Sequence, residues 1–301
     1  MKFHHLSGNP APFFEGWYFK NQNADNTVAF IPGVSITGDG ERTAFIQVIT
    51  DGFSYTANYD FEDFYASKDR LFVRIAGNTF SDEGISVNIT SDGMKCIGKL
   101  KYTDITPIKY DIMGPFSLLG NMECNHGILS MHHLVHGNME INGEKWSFAH
   151  DTGYIEKDWG RSFPSSYTWL QCNSFDGLPS DRPCSIMLSI ADIPLGGLTF
   201  KGFIANVLYE GRQFRMATYN GAKVIRQEPH DIRIKKGKFE LRAEIPQNAG
   251  HPLKAPSAGG MTRTIHETPS CAAHFEFKCK GAPLFEADSR HASYEISNEA
   301  H

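Results

Sequence analysis

Short apolar runs that alternate with polar residues recur along almost the whole chain. β-Branched and aromatic side chains dominate these runs, and pairs such as Asp51-Gly52 and Asn142-Gly143 separate them. Side chains of a strand point to its two faces in turn, so the period of two predicts β-strands, and the Gly-containing pairs predict tight turns. We therefore predict an all-β fold with little helix, in which residues 61–67 are the best helical candidate. The predicted strands cover residues 27–36, 42–50, 70–75, 85–90, 97–102, 168–173, 184–191, 199–209, 212–219, 231–235, 239–245, 272–278 and 292–296.

The length of 301 residues fits either one large domain or two domains of about 150 residues. A faint internal similarity favours two domains, because Trp17 and Trp169 each begin a segment that passes through a polar turn into an apolar strand. We predict a division into residues 1–149 and 150–301. Many short strands with frequent turns are typical of barrels and of sandwiches, and the pattern alone does not separate these two architectures.

Several classes of protein are not indicated. The net charge is −5 and the basic residues are scattered, so we expect no nucleic-acid partner. The first ten residues contain no apolar signal core, and no run approaches the ~18 apolar residues of a membrane helix. We therefore predict a cytoplasmic protein without an integral membrane segment, which leaves peripheral membrane contact and the oligomeric state open.

Neither a cofactor nor a metal is predicted. The sequence has no glycine-rich phosphate-binding fingerprint, and none of its six cysteines has CxxC spacing. His126, His132, His133 and His136 form a cluster, but no cysteine or carboxylate accompanies them at matching spacing. We expect these residues to be hydrogen-bonded histidines on a half-buried strand.

The most unusual stretch, residues 153–164, lies at the middle of the chain. It places Glu156, Lys157, Asp158 and Arg161 among aromatic side chains. Charged groups are costly to bury unless they are paired. The stretch therefore predicts either an ion-pair cluster at the junction of two domains or the polar floor of an apolar ligand cavity.

This stretch, GYIEKDWGRSFP, resembles the tocopherol cyclase family, as do three other blocks. These are FFEGWYFK at residues 13–20, APSAGGMTR at residues 255–263 and ASYEI at residues 292–296. The resemblance implies a tandem of lipocalin-like antiparallel β-barrels, in agreement with the strand count. It also implies a reaction in which a prenyl quinol is protonated at a trisubstituted double bond and the phenolic oxygen then traps the tertiary cation, closing a chroman ring without a redox cofactor or a metal.

Such a reaction needs an acid that is protonated near neutral pH, which a carboxyl group in an apolar site can provide. We predict Glu156 or Asp158 as this acid, with Glu15 as a further candidate. Lys157 and Arg161 would then contact the substrate. In the alternative interpretation they pair with the carboxylates and keep them ionised.

Aromatic residues near these carboxylates are expected to line the site, because ring faces stabilise cations and exclude water. The predicted lining consists of Trp17, Tyr18, Trp159 and Trp169.

Polar side chains are expected to orient the quinol oxygens, and we assign this role to Gln171, Asn173 and Arg263. In a strand, Trp169, Gln171 and Asn173 share one face, which suits a polar site inside a barrel. The alternative is that the two amides satisfy backbone groups at a barrel end. The turn-rich segment 246–260 is interpreted either as a surface loop or as a lid over a cavity.

The leading functional prediction is a cyclase of the isomerase type that acts on a prenylated quinol or a similar apolar isoprenoid. Two alternatives use the same cavity. One is a lipocalin-like protein that binds a small hydrophobic molecule without changing it. The other is a hydratase in which water traps the cation.

Overall fold

The structure, a computed structural model, describes residues 3–6, 11–119, 122–179, 181–195, 198–246 and 250–298. Two antiparallel sheets follow one another along the chain. The strands of the first sheet are β1 (Phe13–Gln22), β2 (Thr27–Ile36), β3 (Arg42–Thr50), β4 (Ser54–Tyr59), β5 (Phe64–Ala66), β6 (Phe72–Ile75), β7 (Asn78–Ser81), β8 (Gly84–Ser91), β9 (Met94–Thr106), β10 (Cys124–Ile141) and β11 (Glu144–Gly160).

The second sheet is built from the rest of the chain. Its strands are β12 (Ser166–Cys172), β13 (Ser185–Leu195), β14 (Leu198–Tyr209), β15 (Arg212–Ala217), β16 (Lys223–Glu228), β17 (Asp231–Lys236), β18 (Phe239–Glu244), β19 (His251–Ser257), β20 (Gly260–Cys279) and β21 (Ala282–Asn298). The predicted all-β fold is therefore confirmed.

Helix is confined, within the described residues, to the short 3₁₀ segments Phe61–Asp63, Gly114–Leu118 and Thr218–Asn220. The prediction of a helix over residues 61–67 is wrong beyond its first turn, because residues 64–66 form β5 and pair with β6. In the part of the chain that the structure describes, no helix has the length and apolar character needed to cross a membrane.

Each sheet is a meander whose first strand pairs with its last long strand. β1 pairs with β11 in the first sheet, and β12 pairs with β21 in the second. Residues 14–21 thus lie beside residues 153–160, and residues 166–171 lie beside residues 293–298. Sequence blocks that are far apart in the chain become neighbours at the centre of each sheet.

Each sheet encloses its own apolar core, as expected for lipocalin-like barrels. Trp17, Phe19 and Phe80 belong to the first core, and Leu170 and Phe275 belong to the second. A third apolar cluster joins the two sheets and contains residues from both; its members include Tyr18, Tyr154, Trp169, Met187, Leu253 and Ile265. The central strands are therefore buried on both faces.

The chain passes from one sheet to the other between Gly160 and Ser166. The predicted boundary at residues 149 and 150 lies inside β11, which is a strand of the first sheet. We therefore propose that residues 161–165 form the junction between the two domains.

The segment 246–260, interpreted from the sequence as a surface loop or a lid, instead contains β19, which pairs with β20. Residues 247–249 lie outside the described residues. Lys254 O accepts a hydrogen bond from Gln47 Nε2 at 2.9 Å, so β19 also contacts the first sheet. The turn between β19 and β20 needs Gly259, whose φ of 79° favours glycine. Gly259 also lies so close to β2 that a Cβ atom would stand 2.1 Å from Ile36 O.

Candidate functional site

A cavity of about 170 Å³ lies between the two sheets. It resembles in size the engineered cavity of about 150 Å³ that binds benzene, so it admits one ring-sized group. Most of its surface is apolar, with a small number of polar side chains among aromatic ones, as in typical ligand sites. Among the residues that carry this polarity and aromaticity are Phe14, Tyr18, Phe45, Gln47, Phe116, Glu123, His126, Glu156, Asp158, Tyr167, Trp169, Glu267 and Glu295.

Strand pairing brings the central residues of this cavity together. Tyr18 on β1 lies opposite Glu156 on β11. In the second sheet, Glu295 on β21 lies opposite Trp169 on β12 and opposite Glu267 on β20. These five residues come from both sheets, so the cavity depends on the association of the two.

His126 lies between two carboxylates at the cavity wall. Its Nδ1 is 2.9 Å from Asp158 Oδ1, and its Nε2 is 3.3 Å from Glu156 Oε2, within ion-pair range but without hydrogen-bond geometry. Burial lowers the pKa of His126, but the two carboxylates outweigh this effect and raise it to about 10. His126 therefore carries a positive charge at neutral pH.

Glu156 has two further donors. It accepts hydrogen bonds at Oε2 from Tyr154 Oη at 2.6 Å and from Trp169 Nε1 at 3.3 Å. The ring of Trp169 meets the ring of Tyr18 edge to face, with the centroids 5.4 Å apart. The cavity thus presents aromatic rings next to a hydrogen-bonded carboxylate.

A second pair of carboxyl groups, Glu267 and Glu295, is buried in the same wall. Tyr18 Oη donates to Glu267 Oε1 at 2.7 Å, and the hydroxyl of Tyr167 donates to Glu295. Burial, with the nearby charge of Glu156, raises the pKa of Glu267 to about 7; burial, with the neighbouring Glu267, raises that of Glu295 well above its usual value. The pair therefore retains at least one proton at neutral pH, unlike an exposed glutamate.

Two groups of described residues have metal-compatible spacing. One is His126, Glu156 and Asp158 in the cavity, and the other is His274, Glu276 and Glu286 on the outer surface. Nδ1 of His126 contacts Asp158 Oδ1 at 2.9 Å, so a metal ion bound through that nitrogen would have to replace this contact. We therefore interpret the cavity group as an ion-pair cluster.

Comparison with known proteins identifies the family of this chain. The profile of the tocopherol cyclase-like family matches residues 99–298, about two thirds of the chain. The chain belongs to the tocopherol cyclase-like family. The matched region contains β10–β21 and the segment 153–164, whose strand β11 supplies Glu156 and Asp158 to the cavity.

A plant relative of this chain has a low sequence identity to it. A probable chloroplastic tocopherol cyclase of Oryza sativa subsp. japonica is 24% identical over 281 residues, which cover 72% of this chain and 58% of that protein. The chain thus spans little more than half the length of this tocopherol cyclase relative.

Solved structures similar to this member of the tocopherol cyclase-like family show the same fold. The complex of CghA with Sch210972 has a TM-score of 0.59 at 7% identity, covering 96% of this chain and 90% of that one. Kievitone hydratase from Nectria haematococca has a TM-score of 0.53 at 11% identity, covering 95% and 89%. At these identities the likeness concerns the fold alone.

Four of the predicted site residues line the cavity: Tyr18, Glu156, Asp158 and Trp169. The structure brings them together from β1, β11 and β12. Their role in a reaction stays a prediction.

Four others lie on the opposite face of the same strands, inside the first barrel. Glu15 accepts hydrogen bonds from His4, His5 and Lys157, and Trp17 packs under the Lys157 ammonium group at 4.9 Å. Burial would raise the pKa of Glu15, but these three donors hold it well below its usual value. Trp159 stacks on His5 with the centroids 4.1 Å apart.

Three of the four remaining predicted residues make hydrogen bonds between the two sheets or to the junction between them. Gln171 Oε1 accepts from Lys20 Nζ at 3.0 Å, and Asn173 Nδ2 donates to Gly153 O at 2.7 Å. Arg263 donates to the carbonyls of Pro164 and Ser165 in the junction. Arg161 is exposed there. The prediction that the polar face of residues 167–173 points into a barrel is therefore wrong, because that face lies between the barrels.

Among the cavity residues that the sequence did not assign to the site are His126, Glu267 and Glu295. Glu295 stands in the block ASYEI, which offered a signal. The sequence places His126 in a group of four histidines that are expected to be hydrogen-bonded on a half-buried strand, and His126 does form a hydrogen bond with Asp158. For Glu267 the sequence indicates only a cross-strand ion pair on the face that it shares with Arg263, whereas its importance in the cavity arises from its position opposite Glu295.

Proposed function

We propose that this protein is a cyclase that isomerises a prenylated quinol, or a similar apolar isoprenoid with a phenolic hydroxyl, by proton-initiated ring closure. One observation carries the proposal: a pair of buried carboxyl groups, Glu267 and Glu295, shares a cavity with the rings of Tyr18 and Trp169. Membership of the tocopherol cyclase-like family supports the same chemistry.

We assign the acid to Glu267. Among the acids predicted from the sequence, Glu15 lies on the far side of β1, and Glu156 and Asp158 neighbour the positively charged His126. Glu267 has the proton-retaining environment that the reaction needs, since its carboxyl group is buried and faces another carboxyl group. Because Tyr18 donates to Oε1, the proton to be transferred sits on Oε2.

The proposed reaction conserves atoms. Glu267 gives its proton to one carbon of the double bond, and the adjacent tertiary carbon becomes a cation. The phenolic oxygen forms a bond to that carbon and releases its own proton to Asp158. The rings of Tyr18 and Trp169, with the nearby carboxylate of Glu156, stabilise the cation before it is trapped.

The two carboxyl groups exchange their protons with water after the reaction. The side chain of Asp158 is 25% exposed, so it can pass the proton to water. Glu267 is reprotonated from water when the product leaves. The net change in the substrate is an isomerisation.

The test is turnover of a short prenylated hydroquinone in D₂O, followed by mass spectrometry and NMR. Ring closure is expected to give a product that carries one carbon-bound deuterium beside the new ether carbon. Glu267→Gln is expected to slow the reaction by roughly 10²–10⁴-fold, while Glu276→Gln, on the same strand but outside the cavity, should leave it unchanged.

Other outcomes decide between the alternatives. Addition of one water would identify a hydratase. A ligand that is retained and recovered without deuterium would identify a binding protein. Either result would overturn the proposed cyclisation.

A further inference from the structure

Gly16 interrupts a row of aromatic side chains on the cavity face of β1. Phe14, Gly16 and Tyr18 alternate along the strand, and all three line the cavity. Phe14 packs against Phe163 and Tyr18 against Trp169, each with ring centroids 5.4 Å apart, so an aromatic pair flanks Gly16 on each side. Every other residue of β1 is buried, whereas Gly16 is partly exposed, because the cavity reaches its backbone.

The backbone at Gly16 does not require glycine. The residue is in a strand with a φ outside the left-handed region, and β1 keeps its register with β2 and β11 there, so it marks no bulge. Among the described residues, and apart from its chain neighbours, only Ile31 Cγ2 at 3.4 Å and Pro32 O at 4.0 Å would contact a Cβ atom at this position. Glycine weakens the interior of a strand, and there it often marks the close approach of a ligand.

The cross-strand row through Gly16 shows how this protein covers a neighbouring glycine. Strand pairing places five residues side by side on β3, β2, β1, β11 and β10, namely Phe45, Gly33, Gly16, Asp158 and His126. The ring of Phe45 lies on Gly33, where a Cβ atom would stand 2.5 Å from Phe45 Cζ. Aromatic rings commonly cover a glycine of the adjacent strand in this way. Gly16 is next in the row, and its other neighbour, Asp158, offers a carboxylate instead of a ring.

We propose that the aromatic ring of the substrate lies on the backbone of Gly16, as Phe45 lies on Gly33, with a ring hydroxyl at Asp158. We call this position, bounded by the ring of Phe45 and the carboxylate of Asp158, the ring seat. It rests on the proposed function in that the ring is taken to be a phenol. Opposite residues on adjacent strands have Cβ positions about 4.5–5.5 Å apart, so a hydroxyl at the edge of the ring reaches Asp158. His126 contacts Oδ1 of Asp158, and we assign the hydroxyl to Oδ2.

The ring seat also directs the prenyl chain. Successive positions on one face of a strand are about 6.7 Å apart, a spacing at which aromatic rings still contact one another. A ring on Gly16 therefore has Phe14 on one side and Tyr18 on the other. The hydroxyl of Tyr18 donates to Glu267. A chain that leaves the ring toward Tyr18 brings its double bond to the proposed acid, while the hydroxyl stays at Asp158.

The experiment measures the binding of two probes to the whole protein by isothermal titration calorimetry. The ring probe is a hydroquinone with a saturated, branched five-carbon chain, which has no double bond to protonate. The ring-free probe is geraniol. Gly16→Ala is expected to weaken binding of the ring probe by roughly tenfold or more and to leave that of geraniol unchanged, because the added methyl group occupies the ring seat alone. The matched control is Gly52→Ala, which adds the same group to an exposed turn, more than 4 Å from the described atoms outside its chain neighbours, and should bind both probes as the wild type does.

Two further measurements separate the ring seat from a general effect on the fold. Gly16→Ala should melt no lower than the wild type, whereas Gly33→Ala should melt lower, because its Cβ atom would overlap the ring of Phe45. In NMR spectra of glycine-labelled protein, the ring probe should shift the Hα signals of Gly16 upfield by its ring current, and geraniol should not. A ring probe that lacks the hydroxyl beside the chain should bind the wild type roughly tenfold more weakly, since it forgoes a hydrogen bond to a charged group.

Three results would overturn the ring seat. The first is a wild type that does not bind the ring probe. The second is an equal loss of both probes in Gly16→Ala, which would mean that the methyl group only makes the cavity smaller. The third is binding of the ring probe without a shift of the Gly16 signals.

Binding of these probes needs no turnover, so the ring seat and the proposed reaction fail separately. If a prenylated hydroquinone cyclised while Gly16→Ala changed neither its KM nor the Kd of the ring probe, the ring seat would be wrong and the reaction would stand. If the ring probe bound with the expected Gly16 shift but no prenylated hydroquinone were turned over, the reaction would be wrong and the ring seat would stand.

Discussion

Glu156 and Lys157 are neighbours in the chain, yet their side chains lie on opposite sides of the first sheet. Glu156 faces the cavity between the sheets and accepts hydrogen bonds from Tyr154 and Trp169. Lys157 points into the first barrel and donates to Glu15. One strand thus separates two charged clusters, and changes to either cluster should have distinct effects.

The cluster inside the first barrel is expected to stabilise the fold. Glu15→Gln would leave the buried Lys157 without its counter-ion, which should lower the free energy of unfolding by about 3–5 kcal/mol. Urea unfolding measures this loss, with the exposed Glu62→Gln as control. If Glu15→Gln instead kept the free energy of unfolding of the wild type but lost turnover, Glu15 would again be a candidate acid.

The carboxyl pair is expected to control turnover. Glu267→Gln should lower kcat by roughly 10²–10⁴-fold, the usual contribution of a general acid. In the wild type, kcat should fall as the pH rises through about 7, because Glu267 then loses its proton. A rate that rose over this interval would exclude the assignment, and steady-state kinetics across the pH range make the measurement.

The same group should make stability depend on pH. The pKa of Glu267 is raised from 4.5 to about 7 on folding, so its stabilising effect is complete below pH 4.5 and is lost as the pH rises to about 7. Glu267→Gln removes this loss. Relative to the wild type, the variant should gain on the order of 2 kcal/mol in unfolding free energy between about pH 5 and about pH 8. Equal pH dependence of the two proteins in urea titrations would contradict the shift.

Trp169 should act through its ring more than through its N–H group. Trp169→Phe keeps a ring beside Tyr18 and loses only the hydrogen bond to Glu156. Trp169→Leu removes the ring face and should lower kcat by a further factor of roughly ten, in line with a cation–π contact. Comparing kcat for both variants at matched folded fractions tests this, and equal rates would argue against a cationic intermediate at the ring.

Local patterns were sufficient for the class of the fold but not for the site. The runs at residues 27–36 and 42–50 are rich in β-branched and apolar side chains, and the strands, whose side chains alternate between two faces, have those bounds. In residues 153–160 the mixture of charge and aromatic rings concealed the same alternation, which places Tyr154, Glu156 and Asp158 on one face and Lys157 on the other. Strand parity applied there would have separated Lys157 from the acids.

Other parts of the site depend on distant pairing. Glu267 meets Glu295, and His126 meets Asp158, only through the registers of β20 with β21 and of β10 with β11. The polar face of residues 167–173 is predicted to lie inside a barrel because a ring and two amides suit a polar site there. The first barrel covers the outer face of β12, and no local signal in β12 indicates this contact.

The pairing of β1 with β11 and of β12 with β21 also fixes the order in which the molecule can be completed on the ribosome. β1 pairs early with β2, but more than a hundred residues must be made before its second partner, β11, emerges. Glu295 arrives with β21, the strand that is made last among those described. A nascent chain can therefore close the first barrel and its charged interior while the cavity still lacks one wall. The newly made protein acquires a place for a ligand only after β21, which carries Glu295, has been synthesised.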